Sequence, residues 1–190
     1  ILDLSRMSKI GQINDREGWV VIEPGVTYGQ LADELEKHSL RVMMPLGVPH
    51  SRSVITSIME GDPTLASASF EYGNSLYLDV EIVLPEGWTW RVGKWRGRIK
   101  GEWSAPGGGG KVTTNVYAWM WEKAQGSLGI ISGLVVKVEH SLPTFSKVFV
   151  LPFDTLEKAI EPLRRIQRKE SGLECFLLNN FNLAAVRTQD

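Results

Sequence analysis

Trp19-Val20-Val21-Ile22 is a short continuous apolar run, the pattern of a strand buried on both faces. It stops at Glu23-Pro24-Gly25, and Thr27 then stands where an N-cap belongs. The helix it predicts runs to about His38, with Leu31, Ala32 and Leu35 inward. Upstream, Ile1–Leu4 and Ile10–Ile13 read as short strands before the polar turn Asn14–Gly18. The clearest alternation sets Leu76, Leu78, Val80, Ile82 and Leu84 against Tyr77, Asp79, Glu81 and Val83. Pro85-Glu86-Gly87 turns the chain, and Trp88, Trp90 and Val92 return, which predicts a hairpin. Residues 39–54 read as a loop with Pro45, Gly47 and Pro49, leading to a short segment at Val54–Met59. Residues 61–74 read as a second loop and 93–114 as flexible. A helix fits Val116–Lys123, and Gly126–His140 is a strand pair or one long bent strand.

After Pro143 the tail reads β-α-β: a strand at Phe145–Phe153, a helix at Asp154–Arg168 and a strand at Leu173–Asn180. Leu156, Ile160, Leu163 and Ile166 share one face of that helix, and Asp154 with Glu157 suggests a capping box. Pro162 should kink the helix or cost up to ~3 kcal/mol. The division that follows is 1–143 as an α+β domain and 144–190 as the start of another.

Composition narrows the function classes. Across 190 residues, 21 Lys and Arg stand against 22 Asp and Glu, so no global basic field draws nucleic acid or an anionic membrane. Cys175 is the single cysteine, and His38, His50 and His140 are scattered, so no metal site is expected and a reducing, cytoplasmic home fits. Apolar runs are too short to span a bilayer, and no signal peptide is visible. A chain that starts at Ile1 suggests a processed or trimmed piece whose first strand pairs with something else. "SAPGGGGK" at 104–111 is not a phosphate loop, because Val112 follows Lys111. Trp88, Trp90, Trp95 and Trp103 among Arg91, Lys94, Arg96, Arg98 and Lys100 suit a surface hairpin or a subunit contact better than base stacking. His50 has no partner carboxylate near it in sequence, and Cys175 reads as a small core residue.

Two places carry glycine beside β-branched residues, Pro24-Gly25-Val26 and Gly126–Ile131; taken alone the first suits a plain turn and the second a bulged strand, and both suit a backbone lying close to a flat ligand. In order with the hairpin, "ILDLSRM", "EPGV", "VLPEG" and "QGSLGI" resemble the vanillyl-alcohol oxidase and p-cresol methylhydroxylase family of FAD-linked oxidases. The part resembled is the later subdomain of the p-cresol methylhydroxylase-type FAD-binding domain. "VFVLPFDTLEKAIEPLRRI" is similar to the start of that family's substrate, or cap, domain.

The resemblance implies an α+β fold, a mixed sheet with flanking helices, followed by a truncated β-α-β of the cap. It implies FAD as cofactor, with contacts at Pro24, Gly25 and Val26, at Ser53, Val54, Ile55, Thr56 and Ser57, at Tyr72 and Gly73, and at Gly126, Leu128, Gly129, Ile130 and Ile131. The family has glycine where this chain has Thr56. No catalytic residue is matched. The implied activity is oxidation of an alcohol, hydroxy acid or phenol by hydride transfer to flavin. The alternative is a non-catalytic subunit that keeps the fold without FAD. The partners implied are a small-molecule substrate and a second copy or other chain supplying the pyrophosphate-binding subdomain, with no nucleic acid and no membrane.

Overall fold

The computed structural model describes residues 2–45, 47–62, 76–93, 120–140, 147–169 and 175–187. The described residues fall into two compact units, one up to His140 and one from Lys147 on.

The first unit is built on a six-stranded sheet: β1 (Ile10–Asn14), β2 (Trp19–Ile22), β3 (Leu40–Val42), β4 (Tyr77–Val83), β5 (Thr89–Gly93) and β6 (Ile130–His140). The order is β1-β2-β6-β4-β5, with β3 on the far end of β6, and every described pairing is antiparallel. Trp19, Val20, Val21 and Ile22 are all buried, as a strand in a covered sheet requires. Two helices, α1 (Tyr28–Glu36) and α2 (Val54–Glu60), contribute Leu31, Leu35, Val54, Ile55 and Ile58 to the core. Thr27 caps α1 as its position suggests. Its hydroxyl accepts from the Gln30 amide at 3.3 Å, and the Gln30 side chain accepts from the Thr27 amide at 3.0 Å. Such a box stabilises a helix end by about 1 kcal/mol.

Several expectations change. The strand expected at Ile1–Leu4 is absent from residues 2–4. Ser5 N–H donates to Asp3 Oδ1 and Met7 N–H to the Leu4 carbonyl, which curls the backbone into a turn. The loop expected after Ser39 begins instead with β3, where Arg41 pairs with Glu139 across the ladder at 2.9 Å. Of the helix fitted to Val116–Lys123, residues 116–119 lie outside the described residues, and Met120–Trp121 form only a 3-10 turn. The Gly126–His140 stretch holds one long strand, β6, rather than a pair.

The second unit has two helices, α3 (Leu156–Arg168) and α4 (Asn180–Arg187), and no strand among its described residues. The β-α-β reading of the tail is therefore corrected. Strands need partners for their N–H and C=O groups, and no described segment of this unit supplies them. Lys147–Phe153 is irregular, with Val148 and Phe149 89% and 79% exposed. Of the second expected strand, residues 175–179 are irregular and lead into α4, started by Asn179, whose side chain accepts from the Asn182 amide at 2.8 Å. Pro162 lies inside α3 as expected. Asp154 pairs with Lys158 at 2.9 Å rather than closing a capping box, while Glu157 is held below the usual carboxylate range first by its own backbone N–H and then by the Thr155 hydroxyl.

Candidate cofactor site

Register brings the sequence candidates to one end of the sheet. Ile22 stands opposite Ile10 on one side and Leu134 on the other, and Val83 stands opposite Ile130. The Glu23–Val26 turn, the start of β6 and the end of β4 therefore share that end.

The turn is held by its own chain. Lys9 N–H donates to Glu23 Oε2 at 2.8 Å, and Glu23 N–H donates to the Lys9 carbonyl at 3.1 Å, which extends the β1–β2 ladder. Gly25 N–H donates to the Met7 carbonyl at 2.7 Å. A Cβ on Gly25 would collide with the Ser5 carbonyl oxygen and lie 2.8 Å from that of Met7. The bare glycine is thus explained by residues 5–7 lying against it.

The helix starts beside the turn are equally engaged. Tyr28 and Gly29 amides donate to the Arg52 and His50 carbonyls at 3.1 and 2.9 Å, and the Val54 amide donates to Val26 at 3.0 Å. The Ser53 hydroxyl donates to the Pro24 carbonyl at 2.6 Å and accepts from the Thr56 amide at 3.2 Å. Pro24–Val26 and Ser53–Ser57 are therefore one packed assembly. Pro24, Val26, Val54, Ile55 and Ser57 are buried in it, and Thr56 is exposed.

Below them the Tyr28 hydroxyl donates to Ser57 Oγ at 3.1 Å. Arg52 pairs with Asp62 at 2.8 Å and Glu60 at 3.2 Å. Burial pushes the Asp62 carboxyl up, but the Arg52 and Ser57 hydrogen bonds and the Arg52 charge outweigh it, leaving it below the usual range. Burial likewise pushes the Tyr28 hydroxyl up.

Gly126–Ile131 differs in kind. Lys123, Gln125, Gly126 and Gly129 all take positive φ, at 59°, 49°, 78° and 141°. A Cβ on Gly129 would lie 2.7 Å from Ile82 Cγ2 and 3.1 Å from the Val83 carbonyl oxygen, so this glycine permits a close approach of β6 to β4. A Cβ on Gly126 would meet open space. Leu128 and Ile130 are 46% and 40% exposed, unusual for apolar side chains leading into a central strand. The β4 ladder slips at Glu81–Ile82, leaving Ser132 as a bulge whose hydroxyl donates to Glu81 Oε1 at 2.9 Å. Arg91 holds the other Glu81 oxygen at 2.8 Å. Because β2 accompanies β6 only as far as Leu134, one backbone edge at Ile130–Ser132 has no strand partner among the described residues.

Tyr72 and Gly73 lie outside the described residues. Sequence reasoning missed the contacts that hold the 120–129 segment. The Tyr77 hydroxyl donates to Glu122 Oε1 at 2.7 Å, Lys123 N–H to the Met59 carbonyl at 2.7 Å, and the Trp121 indole to the Leu128 carbonyl at 3.4 Å. Tyr77 and Glu122 are 45 positions apart, so no local pattern announces them. Among the described residues no cluster of His, Cys, Asp or Glu could hold a metal ion, and no helix is long and apolar enough to cross a membrane.

Residues 1–93 match the family model described as FAD binding domain. The 4-cresol dehydrogenase [hydroxylating] flavoprotein subunit of Pseudomonas putida is 32% identical over 95 residues, 49% of this chain. This chain spans only 18% of that relative's length. A p-cresol methylhydroxylase structure with substrate bound superposes with a TM-score of 0.56 at 23% identity, over 75% of this chain and 27% of that one. An alkyldihydroxyacetonephosphate synthase does so with 0.62 at 19%, over 88% and 28%. These structural likenesses establish the fold.

Proposed function

We propose that this chain, whose residues 1–93 match the family model described as FAD binding domain, works as part of an FAD-linked oxidoreductase acting on a phenol, an alcohol or a hydroxy acid. The observation that carries the reading is the shared sheet end, where the E-P-G-V turn, the α2 start and the Q-G-S-L-G-I segment converge. When bound, FAD supplies the hydride-accepting chemistry.

The residues present suit such a group. Leu128 and Ile130 offer exposed apolar surface to a flat ring, and the Ile130–Ser132 edge offers backbone donors and acceptors to a polar rim. Gly126, Gly129 and Ile131 complete that contact line. Pro24, Gly25, Val26, Ser53, Val54, Ile55 and Ser57 form the rigid backing, with Thr56 exposed beside them. Tyr72 and Gly73 remain candidates by resemblance. We assign this unit the placement of the cofactor and no acid or base.

Residues 1–143 would then form the cofactor-binding part and 144–190 the start of the substrate domain, in a cytoplasmic protein. The name of the Pseudomonas putida relative, a flavoprotein subunit, supports assembly with a further chain, or with a second copy, that contributes phosphate contacts. Its named substrate favours a phenol among the three classes.

One observation favours the rival, a subunit without FAD: the helix starts beside the turn spend the Tyr28, Gly29 and Val54 amides on their own chain. A visible absorption spectrum after incubation with FAD and gel filtration separates the two. A flavin band near the protein's own concentration, bleached by a 4-alkylphenol without oxygen, is the expected result. No retained band in the full-length natural protein would overturn the FAD reading.

A further inference from the structure

Between Met120 and Gly129 the backbone is irregular and takes positive φ at four positions. Two of its left-handed residues, Lys123 and Gln125, carry side chains and are held against the steric preference of L-residues. Such conformations persist only where the surroundings over-determine them. Here three contacts hold the segment, two from separate elements and one within it. The Met59 carbonyl, in α2, accepts the Lys123 amide at 2.7 Å. The Trp121 indole, itself buried, reaches the Leu128 carbonyl within the segment at 3.4 Å. The Tyr77 hydroxyl, at the start of β4, donates to Glu122 at 2.7 Å.

Of the three, the Tyr77–Glu122 bond is the one made between two side chains, and it is as short as the Lys123–Met59 tie. Tyr77 is 5% exposed, so its hydroxyl depends on this partner rather than on water. The Tyr77 hydroxyl is pushed well above its ordinary range, first by burial and then by the hydrogen bond and charge of Glu122, so it remains a donor across the physiological range.

We propose that Tyr77 and Glu122 are positioning residues that hold the Lys123–Ile131 segment in the shape that presents Leu128, Ile130 and the open β6 edge to the cofactor. The proposal rests on the FAD reading above. Neither residue touches the cofactor: Tyr77 acts from β4 through Glu122 on the segment that does.

The test compares Tyr77→Phe and Glu122→Gln in the full-length natural protein, read by amide hydrogen exchange and by FAD titration. Tyr77→Phe should speed exchange of the 123–129 amides about tenfold and weaken FAD by a similar factor, with β2 and the Leu134–Val138 stretch of β6 unchanged. Glu122→Gln keeps an oxygen that accepts from Tyr77 and should stay within about twofold of wild type in both readouts. Where Tyr77→Phe fails to fold, Glu122→Ala breaks the same contact from its half-buried side and should give the same local acceleration. Unchanged exchange at 123–129, or acceleration spread evenly over the sheet, would overturn the positioning role. A wild-type protein that binds no FAD, yet whose variants show the local acceleration, would overturn the FAD reading and leave the anchor standing.

Discussion

The Glu23–Val26 turn and the Lys123–Ile131 segment look alike as sequence, each a glycine set among β-branched residues, and they are opposites as structure. In the first, every conspicuous polar group is spent on the chain itself: Glu23 on Lys9, Gly25 on Met7, Ser53 on Pro24. In the second, left-handed backbone, exposed Leu128 and Ile130, and an edge without a strand partner among the described residues leave contacts to be made. The glycine of the turn is there for a neighbouring backbone. Gly126 in the segment answers to a conformation, and Gly129 answers to both. A glycine-rich signature thus covers two structural situations, a turn closed on its own chain and a segment with exposed apolar surface.

The contrast can be broken most forcefully at Gly25. Gly25→Ala sets a methyl group into two backbone carbonyls that no side-chain motion can clear, so it should destabilise the fold by on the order of 3 kcal/mol, measured by urea unfolding. Gly129→Ala comes next, at roughly 2 kcal/mol. The side chain of Ile82 can partly yield there, so the larger signature should be a loss of FAD affinity beyond what unfolding accounts for, visible by titration well below the melting temperature. Tyr28→Phe removes one buried hydrogen bond from the support and should cost about 1 kcal/mol, with FAD affinity nearly unchanged. Gln125→Gly should change sign. It relieves a left-handed residue and should stabilise thermally by up to ~1 kcal/mol, while a loosened segment binds FAD less well. If Gln125→Gly and Gly25→Ala shift stability in the same direction, the division into support and surface fails.

What could be read from sequence follows from how far each cause lies from its effect. The Thr27 cap, β2 and the β4–β5 hairpin were legible because their determinants sit within a few residues: Gln30 for the cap, Pro85-Glu86-Gly87 for the turn. β3 escaped because three residues, Leu40–Val42, carry too short an alternation to stand out from a proline-containing loop. The tail misled for a related reason. "VFVLPF" and "CFLL" are apolar enough for strands, but strand formation depends on a partner that composition does not reveal, while Asn179 was a local cap signal for α4 that went unused. At the candidate site, sequence order identified the segments that converge. It could not divide them into backing and surface, because the partners of Gly25 are some 20 residues upstream and those of Glu122 are 45 away.

The place of β6 also sets the order in which the molecule can be made. It is the last of the six strands along the chain, yet it lies between β2 and β4 and carries β3 at its far end. Among the described strands only the β1–β2 and β4–β5 pairs can close from neighbouring residues, so during synthesis these two ribbons wait for Ile130–His140 to join them. That wait makes the nascent chain most vulnerable to mispairing between copies just before residue 130 leaves the ribosome. The strand that ends the wait begins at the Leu128–Ile131 surface, so the joining of the sheet and the appearance of its candidate cofactor edge are one folding event.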